Sequence, residues 1–146
     1  MEIHTNPSGG FDHLIGVDIE EARPDRCVVS LEIDDRHHQP YGIVHGGIYC
    51  TLAETAASIG GAVHAIEHGI PGAVGVSNTT DFFRSHRTGK IRAVATPIHQ
   101  GRSQQVWVVE ITRDDDGALL ARGQVRLHNL TDPATIGEPP TLEPTQ

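Results

Sequence analysis

A single charged side chain stands within an otherwise uncharged stretch of the chain. Glu54 is the only Asp, Glu, Lys or Arg in residues 45–63. An ionised carboxylate in a buried segment costs several kcal/mol unless it is paired or faces a polar pocket, and a working site is one reason to keep it. Glu54 is therefore a candidate catalytic carboxylate. The residues alone favour equally the alternative that Glu54 lies on an exposed polar stripe of a helix. Glu54 follows helical spacing with Thr51, Thr55 and Ser58.

Two glycines, Gly46 and Gly47, follow His45 where this uncharged stretch begins. Glycine lets a ligand approach the backbone closely, and a helix N-terminus presents unpaired N–H groups that can hold an oxyanion. Glu54 lies eight residues after Gly46, which is about 12 Å along one helix. We therefore predict that two subunits supply the groups that act on one carbonyl. A plain tight turn is the alternative interpretation of the glycine pair.

The hydrophobic pattern predicts an α+β fold with one long helix. Residues 48–66 are rich in alanine and apolar on nearly every face, which is typical of a buried helix, although Gly60-Gly61 is expected to kink or end it. Alternation and turn signals predict strands over 14–20, 26–33, 73–84, 90–99, 105–112 and 118–129. An antiparallel sheet packed on one helix leaves a face and edges uncovered, so we expect a homo-oligomer.

Length and composition bound the function. The chain has 146 residues, which suits one domain over 11–130 between a flexible segment, 1–10, and a disordered Pro/Thr/Glu-rich tail, 131–146. A net charge of −8 argues against nucleic-acid binding, although basic residues gather in residues 84–102 and suit a phosphorylated ligand. No apolar run is long enough for a membrane span.

The cysteines and histidines give no sign of a disulfide or of a metal site. Only two cysteines occur, Cys27 and Cys50, so we expect no disulfide and a cytoplasmic location. Cys50 fits the apolar core better than a nucleophile's role. The ten histidines show no HExxH spacing, so we predict that most lie at the surface and that the chain holds no metal.

Several segments together resemble a known family. The sequence QPYGIVHGG at 39–47, followed by LAE at 52–54, looks like the signature of hotdog-fold acyl-CoA thioesterases. Further similar pieces are FFRS at 82–85, PIH at 97–99 and GRSQQVW at 101–107. The chain most resembles the PaaI-like, hydroxybenzoyl-CoA and dihydroxynaphthoyl-CoA thioesterase branch. The resemblance implies a long central helix wrapped by an antiparallel sheet of five to six strands.

Site roles follow from this resemblance position by position. It implies that Glu54 is the nucleophile or general base and that the Gly46 N–H polarises the thioester carbonyl. It also implies that Gln39 positions the substrate or the attacking water and that His45 contacts the thioester region. The implied substrate- and CoA-binding residues are Gly75, Phe82, Arg84, Ser85, His99, Gly101, Arg102 and Ser103. Arginines suit CoA phosphates because the guanidinium binds them bidentately.

The same resemblance implies an activity and an assembly. We expect hydrolysis of an aromatic or medium-chain acyl-CoA thioester without a metal or bound cofactor, in a dimer or a tetramer made of two dimers. The alternative is a non-catalytic acyl-CoA-binding module, against which Glu54 beside an intact His45-Gly46-Gly47 argues. A hydratase on this fold is disfavoured because the chain lacks a His-Phe-Pro element.

Two departures from the family pattern concern the substrate. Phe82 stands where close relatives often carry histidine, which we expect to alter the acyl or pantetheine pocket. Arg102-Ser103-Gln104 stands where they tend to have Ser-Arg-His, which we expect to move a phosphate contact by one residue.

Overall fold

The computed structural model describes residues 9–132, and the predictions for the flexible ends concern residues that lie almost wholly outside this range. In chain order the elements are α1 (Gly10–Ile15), β1 (Asp18–Arg23), β2 (Arg26–Ile33), a 3₁₀ turn (Asp35–His37), α2 (Gly46–Glu67), β3 (Ala73–Phe82), β4 (Gly89–Gln100), β5 (Gln104–Arg113) and β6 (Leu119–Asn129).

The six strands form one antiparallel sheet in the order β1-β2-β4-β5-β6-β3. Strand β6 shows the expected period of two, because Val125 and Leu127 are buried while Arg126 and His128 are exposed. The other face of this pattern is polar, so only one face of the sheet is fully covered by the chain itself. The predicted α+β fold, a long helix wrapped by an antiparallel sheet, is confirmed.

Helix α2 packs across the inner face of the sheet and contacts every strand. Its buried face is built mainly of Leu52 and of alanines such as Ala53 and Ala56, none of which has any exposed surface. Small side chains let the strands approach the helix axis closely, and Trp107 of β5 fills the remaining space as a fully buried side chain. Trp107 is therefore a core residue.

The glycine pair in α2 does not end the helix, so the expectation of an end at that point was wrong. The helix continues through Gly60 and Gly61 to Glu67. A Cβ at Gly60 would lie 2.6 Å from the Trp107 ring, and a Cβ at Gly61 would lie 2.1 Å from Leu127 Cδ1. The two glycines thus lie where side chains of β5 and β6 approach the helix backbone closely.

The first predicted strand, residues 14–20, was partly wrong. Leu14 and Ile15 belong to the short helix α1, and β1 begins only at Asp18. Gly16 ends the helix with φ 90°, and its N–H bonds to the carbonyls of Asp12 and His13. A left-handed residue at this place is a helix terminator that the apolar alternation of the segment concealed.

Two of the nine histidines in residues 9–132, His37 and His86, are buried, which agrees with the expectation that most histidines lie at the surface. His37 accepts from the Asp34 N–H at 3.0 Å through Nδ1 and lies 2.7 Å from the Ile15 carbonyl through Nε2. His86 lies 3.0 Å from the Gly89 carbonyl through Nε2. His86 Nδ1 also accepts from Arg113 Nε at 3.3 Å, so both nitrogens of each ring have partners, which is why burial is tolerated.

The cysteines are free thiols in the described part of the chain. Cys27 is fully buried in β2, and this burial raises the pKa of its thiol to about 12. Cys50 is only half-buried on α2, so it is less of a core residue than expected. Within residues 9–132, no helix has both the length and the apolar character needed to cross a membrane.

Candidate active site

The N-terminus of α2 is a built donor site. His45 is the N-cap, and its Nδ1 accepts a hydrogen bond of 2.8 Å from the Gly47 N–H. Because Nδ1 accepts, the ring proton of neutral His45 lies on Nε2, where it is free to donate. The Gly46 N–H has no hydrogen-bond partner within residues 9–132. One unpaired amide and one imidazole N–H therefore lie side by side at the positive end of the helix dipole.

A cleft of about 310 Å³ opens at this helix end and gathers five of the residues that the resemblance selected: Gln39, Gly46, Phe82, Arg84 and Ser85. The Phe82 ring lies directly over Gly46, where a Cβ would come within 2.4 Å of Phe82 Cε2. A side chain at position 46 would clash with the Phe82 ring, so glycine is required where the backbone N–H faces the cleft. Phe82 itself is 52% exposed.

The loop before α2 holds Gln39 at the cleft. The backbone of Gln39 donates to the Ile43 carbonyl at 2.9 Å and accepts from the Gly42 N–H at 2.9 Å. Its side-chain Oε1 accepts from the Tyr41 N–H. The amide nitrogen of the Gln39 side chain remains without a partner among the described residues and can donate to a ligand or to water.

Glu54 lies outside this cleft, two turns along α2. Its side chain is exposed, and a Cβ on Gly75 would lie 2.8 Å from Glu54 Oε1. In the single protomer the exposed-stripe interpretation holds for Glu54 alone, because Thr51, Thr55 and Ser58 are half-buried. Glycine at position 75 leaves room for the carboxylate against β3.

Helix α2 and strand β3 run side by side in opposite directions. Glu54 meets Gly75, the Cys50 carbonyl accepts from Asn78 Nδ2 at 2.9 Å, and Gly46 meets Phe82. The carboxylate and the helix N-terminus are therefore at opposite ends of the same strand. One protomer does not bring Glu54 and the Gly46 N–H to one carbonyl.

The remaining selected residues lie in the β4–β5 hairpin, at the end of the sheet away from the cleft. His99 contacts Gly101, whose added Cβ would lie 2.5 Å from His99 Nε2. Asn129 fixes this hairpin by donating to the carbonyls of Gly101 at 3.0 Å and Arg102 at 3.1 Å, and its N–H bonds to the Ser103 carbonyl at 2.8 Å. Arg102 and Ser103 are exposed at its tip.

Tyr49 lines the cleft and was not selected from the sequence. It is 3% exposed, and its ring lies 5.6 Å from the Phe82 ring. Its hydroxyl is the one buried side-chain polar atom in the described part of the chain that lacks a hydrogen-bond partner. Burial raises the pKa of this hydroxyl, an effect that the charge of Arg113 partly opposes. Spacing alone offered a signal, since Tyr49 follows Gly46 by three residues and so shares its helix face.

Tyr49→Phe is expected to raise the free energy of unfolding by about 1 kcal/mol, because a buried hydroxyl without a partner is costly. Chemical denaturation at fixed protein concentration measures the change. Because burial raises the pKa of Tyr49, the folded state favours the neutral phenol. The free energy of unfolding of the wild type is therefore expected to fall as pH rises from ~10 through the raised pKa, and Tyr49→Phe is expected to lack this fall. A loss of stability in Tyr49→Phe would instead reveal a partner for the hydroxyl, such as a bound water.

Residues 9–132 contain no group of three or more His, Cys, Asp or Glu side chains placed to hold a metal ion. The groups described above are a carboxylate, backbone donors, an imidazole and amide groups.

Comparisons with known proteins identify the family of the chain. The family model described as "Thioesterase superfamily" matches residues 41–120. The chain is 44% identical over 121 residues to the Mycobacterium tuberculosis protein named "Putative esterase Rv1847", covering 82% of this chain and 86% of that one. It is 38% identical over 112 residues to the 1,4-dihydroxy-2-naphthoyl-CoA hydrolase of Listeria monocytogenes, covering 75% and 88%.

The solved structures show the same fold. The structure of Rv1847/MT1895 from Mycobacterium tuberculosis superimposes with a TM-score of 0.78 at 41% identity, covering 82% of this chain and 95% of that one. The matched family segment includes the start of α2, Glu54 and most of the sheet. The chain belongs to the thioesterase superfamily and is a thioester hydrolase of the hotdog fold.

Proposed function

We propose that the chain hydrolyses the thioester of an aromatic or medium-chain acyl-CoA to the free acid and CoA, with Glu54 as the nucleophile or general base. One observation carries the proposal. A solvent-facing carboxylate and a helix N-terminus with an unpaired Gly46 N–H lie at opposite ends of β3, which is an edge strand. A carboxylate and an oxyanion donor are the two groups that thioester hydrolysis requires.

Pairing of two protomers through β3 supports the proposal geometrically. The outer edge of β3 carries no strand in the protomer, and Val76 on this strand is 55% exposed. An antiparallel pairing that sets Gly75 opposite the partner's Phe82 moves Glu54 next to the partner's Gly46. The two groups that are about 12 Å apart along one helix then flank a single carbonyl. We infer a homodimer with two such sites related by its two-fold axis, and a tetramer would be a pair of these dimers.

The same register places the residues of the β4–β5 hairpin near the proposed site. Asn129 pairs with Ala73 in the sheet and holds the 101–103 hairpin tip. Continuing the register, Ala73 faces position 84 of the partner, so Arg102 approaches the partner's Arg84. The guanidinium groups of Arg102 and of the partner's Arg84 then lie where the phosphate groups of a bound CoA would emerge from the site.

The reaction balances along either route. In the general-base route, Glu54 takes a proton from water, the new C–O bond forms at the carbonyl carbon, and the C–S bond breaks as the proton passes to the CoA thiolate. In the nucleophilic route, Glu54 first forms a mixed anhydride with release of CoA, and water then cleaves it. In both, the Gly46 N–H stabilises the oxyanion, His45 Nε2–H and the Gln39 amide orient the substrate, and no metal or cofactor takes part.

A substrate panel tests the proposal. Purified protein is assayed for thiol release against aromatic and aliphatic acyl-CoAs, and calorimetry measures the binding of their non-hydrolysable thioether analogues. Hydrolysis of at least one member with kcat/KM of about 10⁴ M⁻¹s⁻¹ or more is expected. Thioether binding without turnover of any thioester would refute catalysis and leave a non-catalytic acyl-CoA-binding module.

The proposed dimer is tested by measuring the mass of the protein and the dependence of its activity on dilution. Light scattering is expected to give a mass that is a multiple of the 15.7 kDa chain, and specific activity is expected to fall when the protein is diluted until it dissociates. Full activity in a monomer would overturn the shared site. We also propose a cytoplasmic location, since both cysteines are free thiols.

A further inference from the structure

A series of hydrogen-bonded amides crosses the interior between helix α2 and the β4–β5 hairpin. Gln105 has no exposed surface, and Asn129 is 3% exposed. Gln105 Nε2 donates to the Gly61 carbonyl of α2 at 3.1 Å and to Asn129 Oδ1 at 2.9 Å. Asn129 Nδ2 in turn donates to the carbonyls of Gly101 and Arg102. Side-chain hydrogen bonds therefore run without a break from the helix to the hairpin.

The orientation of both amides follows from Trp107. Its indole Nε1–H can only donate, and it lies 3.0 Å from Gln105 Oε1. Gln105 must therefore direct its NH₂ group at the helix and at Asn129. Asn129 then receives this donor on its oxygen and directs its own NH₂ group at the hairpin. All side-chain donors of the two amides are used, and a buried polar chain that is satisfied in this way is held in one arrangement.

The tip of the hairpin, residues 101–103, is fastened by a residue of another strand. Asn129 of β6 bonds the carbonyls of all three tip residues: two through Nδ2, at 3.0 and 3.1 Å, and one through its backbone N–H, at 2.8 Å. The side chains of the tip itself are exposed at Arg102 and Ser103. The position of the tip thus depends on Asn129, whose side chain is oriented by Gln105.

We propose that Gln105 and Asn129 are positioning residues of the hydrolase, which hold the 101–103 tip at the shared site and couple it to the helix that carries Glu54. The inference rests on the proposed function, because the register of the proposed dimer sets this tip at the site. Both side chains are buried, so they act on the substrate only through the tip. A tip that is ordered before the substrate arrives does not have to be ordered during binding, which strengthens binding.

Asn129→Asp tests this role, because it keeps the size of the side chain and puts an acceptor where two donors face the tip carbonyls. On the best acyl-CoA of the panel, KM is expected to rise about three- to tenfold, with kcat changed by less than about twofold, since the tip contributes binding and not chemistry. Hydrogen–deuterium exchange of the full chain is expected to be faster at residues 101–104 and unchanged at residues 52–59.

A double-mutant cycle tests the coupling between the two amides. Gln105→Leu, Asn129→Leu and the double variant are compared, because apolar replacement of both partners leaves no buried group of the pair unsatisfied. Two residues that act in series are expected to give a double variant whose KM equals that of Asn129→Leu within about twofold, rather than the product of the two effects. A multiplicative effect would refute the series.

Val125→Ala is the matched control. Val125 is fully buried on the same strand as Asn129, and its truncation removes apolar contacts without removing a hydrogen bond to the tip. This variant is expected to be less stable than the wild type and to keep its KM and its exchange rates at residues 101–104. An equal rise of KM in Val125→Ala would show that lost stability, and not the tip, is the cause.

Faster exchange at the tip with unchanged KM would overturn the assignment, and so would unchanged exchange, or a fall in kcat in place of the rise in KM. Asn129→Ala removes the same donors without a buried charge, so it decides the matter if Asn129→Asp fails to fold. Calorimetry with the thioether analogue needs no turnover. A chain that hydrolyses no thioester but binds the analogue three- to tenfold more weakly in the variant, on the same about tenfold scale, would refute the proposed catalysis alone. An active enzyme with unchanged KM would refute the positioning role alone.

Discussion

Glu54→Gln is expected to lower kcat on the best acyl-CoA of the panel by about 10³-fold or more, with little change in KM. A positioned carboxylate that acts as general base supplies a factor of about 10²–10⁴, and loss of a nucleophile costs at least as much. The amide of glutamine matches the carboxylate in size but neither removes a proton nor attacks a carbonyl. Steady-state kinetics by thiol release measures the change.

The fold is expected to tolerate this substitution. Glu54 is exposed and makes no ion pair within residues 9–132, so its removal leaves no buried group unsatisfied. Glu67→Gln is a matched control, because Glu67 is an exposed glutamate at the far end of the same helix. Activity retained in Glu54→Gln, or lost equally in Glu67→Gln, would contradict the role of Glu54.

Isotope transfer separates the two routes open to Glu54. A single turnover in water enriched in oxygen-18, followed by mass analysis of the protein, reports whether label enters the Glu54 carboxylate. Label in Glu54 requires the mixed anhydride, because water then attacks an acyl bond that includes a side-chain oxygen. Label in Glu54 therefore excludes pure general-base action, whereas a labelled product acid with an unlabelled carboxylate is expected from general-base action and also from attack of water on the substrate acyl carbon of the anhydride.

Gly60→Ala is expected to lower the free energy of unfolding by about 1–3 kcal/mol, although alanine favours helix over glycine by about 1 kcal/mol at an unhindered position. The new Cβ would lie 2.6 Å from the ring of Trp107, which is fully buried and donates from Nε1 to Gln105 at 3.0 Å. The ring has no room to retreat. Denaturation at equal protein concentration, monitored by circular dichroism, measures the loss.

A double-mutant cycle with Trp107→Phe isolates the cause. The Cβ clash involves the outer atoms of the indole ring, which phenylalanine lacks. Gly60→Ala is therefore expected to cost at least about 1 kcal/mol less in the Trp107→Phe background than in the wild type. Ser58→Ala, at a half-buried position on the same helix, controls for helix propensity. A cost that is the same in both backgrounds would show that contact with Trp107 is not the reason for glycine.

Much of the fold was open to prediction because its signals are local. Strand β2 was predicted with its observed bounds, since apolar side chains run from Cys27 to Ile33 between charged ends. Helix α2 was predicted to within two residues at its start, because alanine content and length exclude a strand. Helix α1 was missed because its end depends on the left-handed backbone of Gly16, which the apolar pattern across it does not reveal.

The site was predictable in its residue types and less so in its arrangement. The helix start with His45 and Gly46 was identified, and the structure places Gln39, Phe82, Arg84 and Ser85 around it. Tyr49 was missed because an aromatic residue in an apolar helix carries no sign of whether its hydroxyl finds a partner.

By itself, the sequence determined the type of the long helix and of the six strands, the lone carboxylate on the helix and the donor groups at its N-terminus, because propensity, periodicity and capping act over a few residues. Only the tertiary structure decided that Glu54 is exposed beside Gly75, that Gly46 lies at the other end of β3, and that the glycine pair in α2 serves close approach. These facts depend on which strand lies against which helix turn, and that is set by contacts between residues far apart in the chain. The carboxylate at Glu54 was visible in the sequence, whereas the partner surface that its position calls for was visible only in the fold.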